Sequence, residues 1–371
     1  EYDKVTGAVD NLYGKMYNAI ANVNNILDHI HADNGVLLTP GMYEIIRGEC
    51  LALRAFLHFD LMRLFGPVPA DLEAGGARLP YVRVVSKEIK LPVSYDEYKD
   101  FLLKDLRDAA ALLKEYDPIV VEGSVTDEFL VRRTCRMNYY AVKALQARAF
   151  LWYGEKENAY AAAMEVIEAK NSDGSKKFDI EAIKTAFPGQ DFIIYPEQIF
   201  GLYDHQLDDK YSSFFQTGIL YKGTSSQEIM KNLYGNTGKD FREQYLWELQ
   251  RLVDGDRYTI KKYNVTLGVK QIPLIRLSEL YFIAIESGSA EQAQKLWDEY
   301  RDSRVLDRKD LPTDPKQLQQ EILTEFRKEF YAEGQLFYLY KRYNSPREDI
   351  LFANSRLVVN YILPLPKTEL K

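Results

Sequence analysis

The stretch MNYYAVKALQARAFLWYGEKENAYAAAMEVIEAK, residues 137–170, has the pattern of two helices joined by a short turn. Small and apolar residues recur along it at the positions that characterise a tetratricopeptide unit, namely Ala147, Phe150, Gly154, Ala159, Ala163 and Val166. Small side chains allow the two helices to approach closely. Such a hairpin has one face that it cannot bury alone, and stacking against a neighbouring hairpin covers that face. The stretch therefore predicts a core of stacked helical hairpins.

The same spacing recurs between residues 273 and 301. The matching positions are Tyr281, Ala284, Gly288, Ala293, Trp297 and Tyr300. Two hairpins with matching offsets predict an α-solenoid core. The alternative, two unrelated hairpins in an all-α domain, stays open, and both interpretations require helices.

Further helices are predicted on both sides of these hairpins from apolar spacing and from start and stop signals. Their predicted ranges are 7–31, 42–65 (ended by Gly66-Pro67-Val68-Pro69), 94–116 and 316–343. The predicted fold class is all-α, a tetratricopeptide-like α-solenoid core with a long irregular, loop-rich insertion and few short strands. We predict one domain over residues 1–371, with the helical core at 1–170 and 271–345 and the insertion at about 171–270.

The insertion is the predicted ligand-binding region. It lacks helical periodicity for long stretches and carries many aromatic residues among Gly, Ser, Asn and Asp, a composition that argues against disorder. Flat rings pack against the apolar faces of sugars, while Asp, Asn and Gln hold hydroxyl groups. The candidate ligand-binding residues are Tyr203, Asp204, Gln206, Tyr211, Phe214, Phe215, Gln216, Tyr221, Asn232 and Tyr234. The alternative is that most of these rings pack the insertion against the solenoid.

The composition limits the classes of function that this chain can have. The 27 tyrosines and 18 phenylalanines predict that many rings reach a surface. A net charge of -7 without a Lys/Arg block argues against nucleic acid as a partner. Cys50 and Cys135 are predicted to be small buried hydrophobes in helix-like segments. The four histidines have no helical metal-ligand spacing, and no nucleophile motif is present. We therefore predict no catalytic residue, no metal, no cofactor and no enzymatic activity.

Four separated segments, in the same order along the chain, resemble motifs of the SusD/RagB family. The most specific is GECLALRAFLHFDLMRLFGPVP at residues 48–69, in which an acidic residue and Ala-Leu-Arg-Ala-Phe lead to Leu-Phe-Gly-x-Val-Pro. The others are YNAIANVNNIL at 17–27, RLSELY at 276–281 with Glu286 and EFYAEGQ at 329–335, and LPLP at 363–366 with Glu369. The segment LFYLYKR at 336–342 departs from the family pattern, so the polar contacts of that helix are expected to differ.

The resemblance implies a surface-exposed lipoprotein of the outer membrane of Bacteroidetes that takes part in polysaccharide utilization. Such a protein captures oligosaccharides and delivers them to a SusC-like TonB-dependent transporter. It implies contact with the membrane only through an N-terminal lipid anchor, which these residues do not contain. The alternative is a scaffold or transporter lid that binds proteins instead of glycans. A glycosidase is a distant third, because it would need a carboxylate pair across a groove.

Overall fold

The structure is a computed structural model that describes residues 2–32, 36–72, 78–122, 127–218, 220, 227–253, 255–265 and 270–370. Its helices are α1 (Tyr2–His29), α2 (Met42–Phe65), α3 (Tyr95–Tyr116), α4 (Pro118–Val121), α5 (Tyr139–Trp152), α6 (Lys156–Ile167), α7 (Ile183–Ala186), α8 (Leu207–Tyr211), α9 (Phe241–Tyr245), α10 (Leu277–Ser287), α11 (Ala290–Ser303), α12 (Pro315–Glu329) and α13 (Leu336–Tyr343). The strands are β1 (Gln198–Tyr203), β2 (Trp247–Leu252), β3 (Gly255–Ile260) and β4 (Gln271–Arg276). The predicted mainly α fold class is confirmed.

Short turns of helix connect these elements. The 3₁₀ turns are Glu128–Leu130, Arg133–Cys135, Ile180–Ala182, Tyr195–Glu197, Arg347–Asp349 and Lys367–Leu370, and the π turns are Ser212–Gln216 and Gln227–Lys231. The strands form two antiparallel ribbons, β1 with β4 and β2 with β3. None of the described helices combines the length and the apolar character that crossing a bilayer requires.

Local signals set the ends of the first long helices. The backbone N–H of Gly66 closes α2 by donating to Met62 O at 2.9 Å, and Pro67 cannot continue the helix. Ser94 and Glu97 cap α3 reciprocally, since each side chain accepts the backbone N–H of the other residue. These local interactions explain why the predicted ranges of α2 and α3 agree with the structure.

The two predicted hairpins are α5–α6 and α10–α11, and they pack against each other through α6 and α10. Gly288 allows this approach, because a Cβ at that position would lie 2.9 Å from Cε2 of Tyr160 on α6. Ala159, Ala163 and Ala284 are fully buried along the same contact. The small residues of the repeat pattern therefore set the distance between the helices.

Three local predictions were wrong. The predicted helix 316–343 is divided into α12 and α13 by a turn in which Ala332 (φ 65°) and Gly334 (φ 73°) are left-handed. Pro273 begins no helix, because it lies in β4. Cys135 lies in a 3₁₀ turn and is only partly buried, whereas Cys50 is buried in α2 as predicted.

The prediction that many aromatic rings reach a surface holds only in part, because rings such as Tyr43, Phe101 and Tyr258 are half-buried. Among the described residues with placed side chains, only Tyr116, Tyr195, Tyr203 and Phe214 are exposed rings. Most others lie in the large core formed by α1–α3, α5, α6 and α10–α13, or in a second cluster inside the insertion that includes Phe187, Tyr234 and Trp247. The high aromatic content therefore serves mainly to fill two cores.

Candidate ligand-binding surface

The β1–β4 ribbon carries the predicted surface away from the helical core. Ile199 and Phe200 of β1 are buried in the large core, whereas Leu202 and Tyr203 at the end of the strand are exposed. Tyr203 pairs with Gln271 at the start of β4. One end of the ribbon is thus anchored by apolar packing, and the other end presents Tyr203 to solvent with 56% of its surface exposed.

The turn after Tyr203 is held by Asp204. Its backbone N–H donates to Lys270 O at 2.9 Å, and its carboxylate accepts the backbone N–H of Gln206 at 3.0 Å. The carboxylate also pairs with Lys210. Hydrogen bonds from Lys210 and from the backbone of Gln206 lower the pKa of Asp204, so this carboxylate is an anion at neutral pH. Gln206 remains exposed.

Lys270, the residue before β4, contacts the turn from the other side of the ribbon. Its ammonium lies 2.6 Å from Asp208 and donates to His205 O at 3.1 Å, across 65 residues of sequence. The hydrogen bond that Lys270 donates to Asp208 raises the pKa of Lys270. Lys270 is not among the residues predicted from sequence, because nothing in its local pattern shows that β4 returns to this turn.

The next segment divides its aromatic residues between two faces. Tyr211 is buried and stacks on Phe215, with ring centroids 5.9 Å apart, and Phe215 packs on Tyr263 at 5.6 Å. The hydroxyl of Tyr263 donates to Ala332 O at 2.9 Å, which ties this cluster to the turn after α12. Phe214 points the other way and is 53% exposed.

The remaining candidates have different surroundings. Gln216 is half-buried and accepts a hydrogen bond from the Ser212 hydroxyl at 3.0 Å. Asn232 is exposed, whereas Tyr234 is buried in the second cluster and its hydroxyl accepts from Trp247 Nε1 at 3.1 Å. Tyr221 lies outside the described residues.

The candidates between residues 203 and 216 thus lie on one continuous segment, which consists of the end of β1, the turn after it, α8 and the π turn Ser212–Gln216. Within that segment, Tyr203 and Phe214 present rings to solvent. The rings of Tyr211 and Tyr234 fill the cores of the insertion. This packing role is the alternative to ligand binding that was stated above for these residues. In this arrangement neither ring has a face open to a ligand.

A buried ion network fixes the insertion on the helical core. Arg276, at the end of β4, donates to Glu197 at 3.2 Å, to Glu329 at 2.9 Å and to Glu333 at 2.9 Å. Arg304 also contacts Glu197 at 2.9 Å and Glu329 at 2.8 Å. All five side chains are almost fully buried. The motif residues Arg276, Glu329 and Glu333 are therefore structural in this chain.

Arg242 extends the network into the insertion. Its guanidinium lies 2.7 Å from Asp240, 2.8 Å from Glu325 and 3.1 Å from Glu329. Burial alone would raise the pKa of Glu329, but the charges of Arg304, Arg276 and Arg242 outweigh it and hold that pKa well below its usual range. Glu329 therefore stays ionised at neutral pH.

The other motif segments also meet one another. Arg54 binds both oxygens of Asp105 at 2.7 Å and donates to Asn24 at 2.9 Å. At the far end of α2, Lys341 donates to Gly66 O at 2.7 Å. In α13, the helix that departs from the family pattern, Arg342 binds both oxygens of Glu286 at 2.6 Å. The motif segments thus hold α1, α2, α3, α10 and α13 together.

Two family models together cover most of this chain. The model described as the SusD family matches residues 139–368, and a model described as starch-binding associating with outer membrane matches residues 1–122. The chain therefore belongs to the SusD/RagB family. No curated protein sequence matches it significantly.

Solved structures show the same fold. A SusD superfamily protein from Bacteroides thetaiotaomicron VPI-5482 is 21% identical, with a TM-score of 0.69 over 89% of this chain and 74% of that one. A SusD-like carbohydrate binding protein from Bacteroides vulgatus ATCC 8482 is 19% identical, with a TM-score of 0.67 over 90% and 69%. A laminarin binding SusD-like protein is 18% identical, with a TM-score of 0.67 over 98% and 84%.

Proposed function

We propose that this protein binds oligosaccharides at the outer membrane and releases them unchanged. The observation that carries the proposal is that Tyr203 and Phe214, two of the few exposed rings among the described residues, lie on one short segment beside polar groups. Structural neighbours described as carbohydrate binding and laminarin binding support the ligand class.

The physical basis is the combination of flat rings and fixed hydrogen-bonding groups. An exposed ring that covers an apolar sugar face removes both surfaces from water. Gln206 is exposed and can hydrogen-bond a hydroxyl, while Asp204, Lys210 and Lys270 fix the turn that carries it. Because the turn is held before a ligand arrives, little conformational entropy is lost on binding.

Family membership supports the wider role. In this proposal the protein is lipid-anchored at the cell surface and passes its ligand to a SusC-like TonB-dependent transporter. The insertion, about residues 171–270, supplies the binding surface, and the helical core at 1–170 and 271–345 supports it. Separate hydrophobic clusters in the core and in the insertion are consistent with this division of roles.

Calorimetric titration with plant, host and microbial oligosaccharides tests the proposal. We expect Tyr203→Ala with Phe214→Ala to weaken binding at least about tenfold, a loss of about 1.4 kcal/mol. The matched control is Tyr116→Ala with Tyr195→Ala, which removes two exposed rings elsewhere and should leave affinity unchanged. Equal losses in both double variants, or a panel without any binding glycan, would refute the proposed site. Release of shortened oligosaccharide would refute binding without turnover.

A protein-binding scaffold or transporter lid is the second candidate, because a groove of about 590 Å³ lies between α6 and α11. Tyr160, Met164 and Leu296 line it, with Lys295 and Glu299 among its polar groups. Co-purification from membranes separates the two functions. A scaffold would lose its protein partner in Met164→Glu and keep it in the Tyr203 and Phe214 double variant.

A further inference from the structure

A second cavity, distinct from the surface at residues 203–216, lies inside the helical core. It has a volume of about 50 Å³ and lies between α2, α5, α10, α12 and α13. Its walls include Leu151, Phe282, Ile283, Phe326 and Leu339, so most of the lining is apolar. Gln335 and Tyr338, which also line it, are partly exposed and connect it to the surface.

The carboxylates that line this cavity are already paired. Both oxygens of Glu279 accept hydrogen bonds from Arg148 at 2.6 Å. Both oxygens of Glu286 accept from Arg342 at 2.6 Å, and the Tyr343 hydroxyl donates to one of them at 2.8 Å. A ligand that needs an acceptor would therefore find these oxygens occupied.

Two donors that line the same cavity are unpaired. Arg63 Nε and Arg148 Nη1 are buried and have no acceptor among the described residues. The Arg63 guanidinium is fixed over the Tyr338 ring, 3.7 Å from its centroid, and its other end pairs with Asp60. A buried donor without an acceptor costs about 1–3 kcal/mol. An acceptor brought in by a ligand would recover that free energy.

We propose that this cavity binds a small monocarboxylate with a short hydrocarbon tail. The carboxylate would accept from Arg63 and Arg148, and the tail would pack against Phe282 and Leu339. Each of the three guanidinium groups in the lining is paired with one carboxylate, namely Asp60, Glu279 or Glu286, so the two unpaired N–H donors, and not an excess of positive charge, would hold the ligand.

The size of the cavity restricts the ligand. A water molecule needs about 10–15 Å³ of such space, so this cavity holds several waters or one ligand of a few heavy atoms. An oligosaccharide is far larger, so this ligand belongs to a different chemical class from the proposed glycan. The inference does not rest on glycan binding and can hold if that proposal fails.

Calorimetry with sodium acetate and with acetamide at equal ionic strength tests the requirement for a carboxylate on the unmodified protein. Acetamide has the same methyl tail and no charge. We expect acetate to bind at least about tenfold more tightly than acetamide. Equal affinities, or no heat from either compound at millimolar concentration, would overturn the inference and would assign the cavity to water.

Two variants locate the binding. Arg63→Lys keeps the charge and removes the Nε donor, and we expect it to weaken acetate binding several-fold. Ile283→Phe fills the cavity and should abolish binding, whereas Ile26→Phe, on the exposed face of α1, should not change it. Circular dichroism checks folding. Unchanged acetate affinity in a folded Arg63→Lys protein would contradict the proposed contact.

Discussion

Arg242 of the insertion and Glu329 of α12 form an ion pair of 3.1 Å in which each side chain is only 1% exposed. The two residues are 87 positions apart in sequence. Glu329 also binds Arg276 and Arg304, so a single carboxylate joins the insertion, the β1–β4 ribbon and the end of α11. The position of the candidate ligand surface therefore depends on a residue that lies outside it.

Glu329→Gln should lower the free energy of unfolding by about 3–5 kcal/mol, because three buried guanidinium groups lose their shared carboxylate. Urea denaturation followed by circular dichroism measures this. The control is Glu321→Gln on the same helix, whose partner Lys309 is half exposed, and its effect should stay below about 1 kcal/mol. Similar effects of the two substitutions would contradict the structural role of the network.

Glu325 makes the network sensitive to acid. Burial raises the pKa of Glu325, but the charges of Arg242 and Lys328 outweigh it and hold that pKa at about 2, below the ordinary value of 4.5. The unfolded chain therefore binds a proton first, and the stabilisation from Glu325 is lost as the pH falls from 4.5 toward 2. We expect the difference in unfolding free energy between the wild type and Glu325→Gln to shrink over that range. A constant difference would contradict this.

Arg54→Lys should destabilise the protein by at least about 2 kcal/mol, although it keeps the charge. A lysine cannot bind both oxygens of Asp105 and reach Asn24 as the planar guanidinium does. Thermal and urea unfolding measure the loss. Lys104→Met removes an exposed ion pair with Asp108 on α3 and should change stability by less than about 0.5 kcal/mol. If Arg54→Lys were as mild, the bidentate contact would not matter.

Lys341 should make stability rise with pH above neutrality. Burial lowers the pKa of its ammonium from 10.5 to about 7, so the unfolded chain holds more protons between these values. The free energy of unfolding should therefore increase with pH by up to about 1.4 kcal/mol per unit, relative to Lys341→Met. Parallel curves for the two proteins between pH 7 and pH 10 would show that Lys341 is not the cause.

Tyr211→Phe should keep ligand binding and raise stability by about 1 kcal/mol. The Tyr211 hydroxyl is buried with no hydrogen-bond partner among the described residues, so its removal relieves an unsatisfied group. Tyr211→Ala should instead lose several kcal/mol, because it leaves a cavity beside Phe215. A loss of glycan affinity in Tyr211→Phe, with stability retained, would show that the hydroxyl contacts the ligand.

The sequence predicts the secondary structure well where local interactions determine it. Helix α2 has a strong apolar pattern and a glycine-proline stop, and α3 has a reciprocal cap, so both ranges were predicted closely. The hairpins were predicted from small residues that recur at fixed offsets, and Gly288 against Tyr160 shows the contact that requires them. Each of these signals lies within a few residues of the element that it determines.

The candidate surface was predicted only in part. The aromatic density of the insertion indicated the region, but composition does not distinguish a ring that fills a core from one that faces water. Tyr203 and Phe214 are exposed, while Tyr211 and Tyr234 are buried, and all four lie in similar polar surroundings in the sequence. Their exposure depends on partners such as Tyr263 and Trp247, which fold back from later positions.

The sequence by itself determined the mainly α class, the paired hairpins and the family, because these follow from periodicity and short motifs. Only the tertiary structure decided what the motif residues do. Arg276, Glu329 and Glu333 meet in one buried network because β4 and the break between α12 and α13 bring them together. Sequence spacing cannot show such contacts, since a buried charge is stable only where distant segments supply its counter-charges.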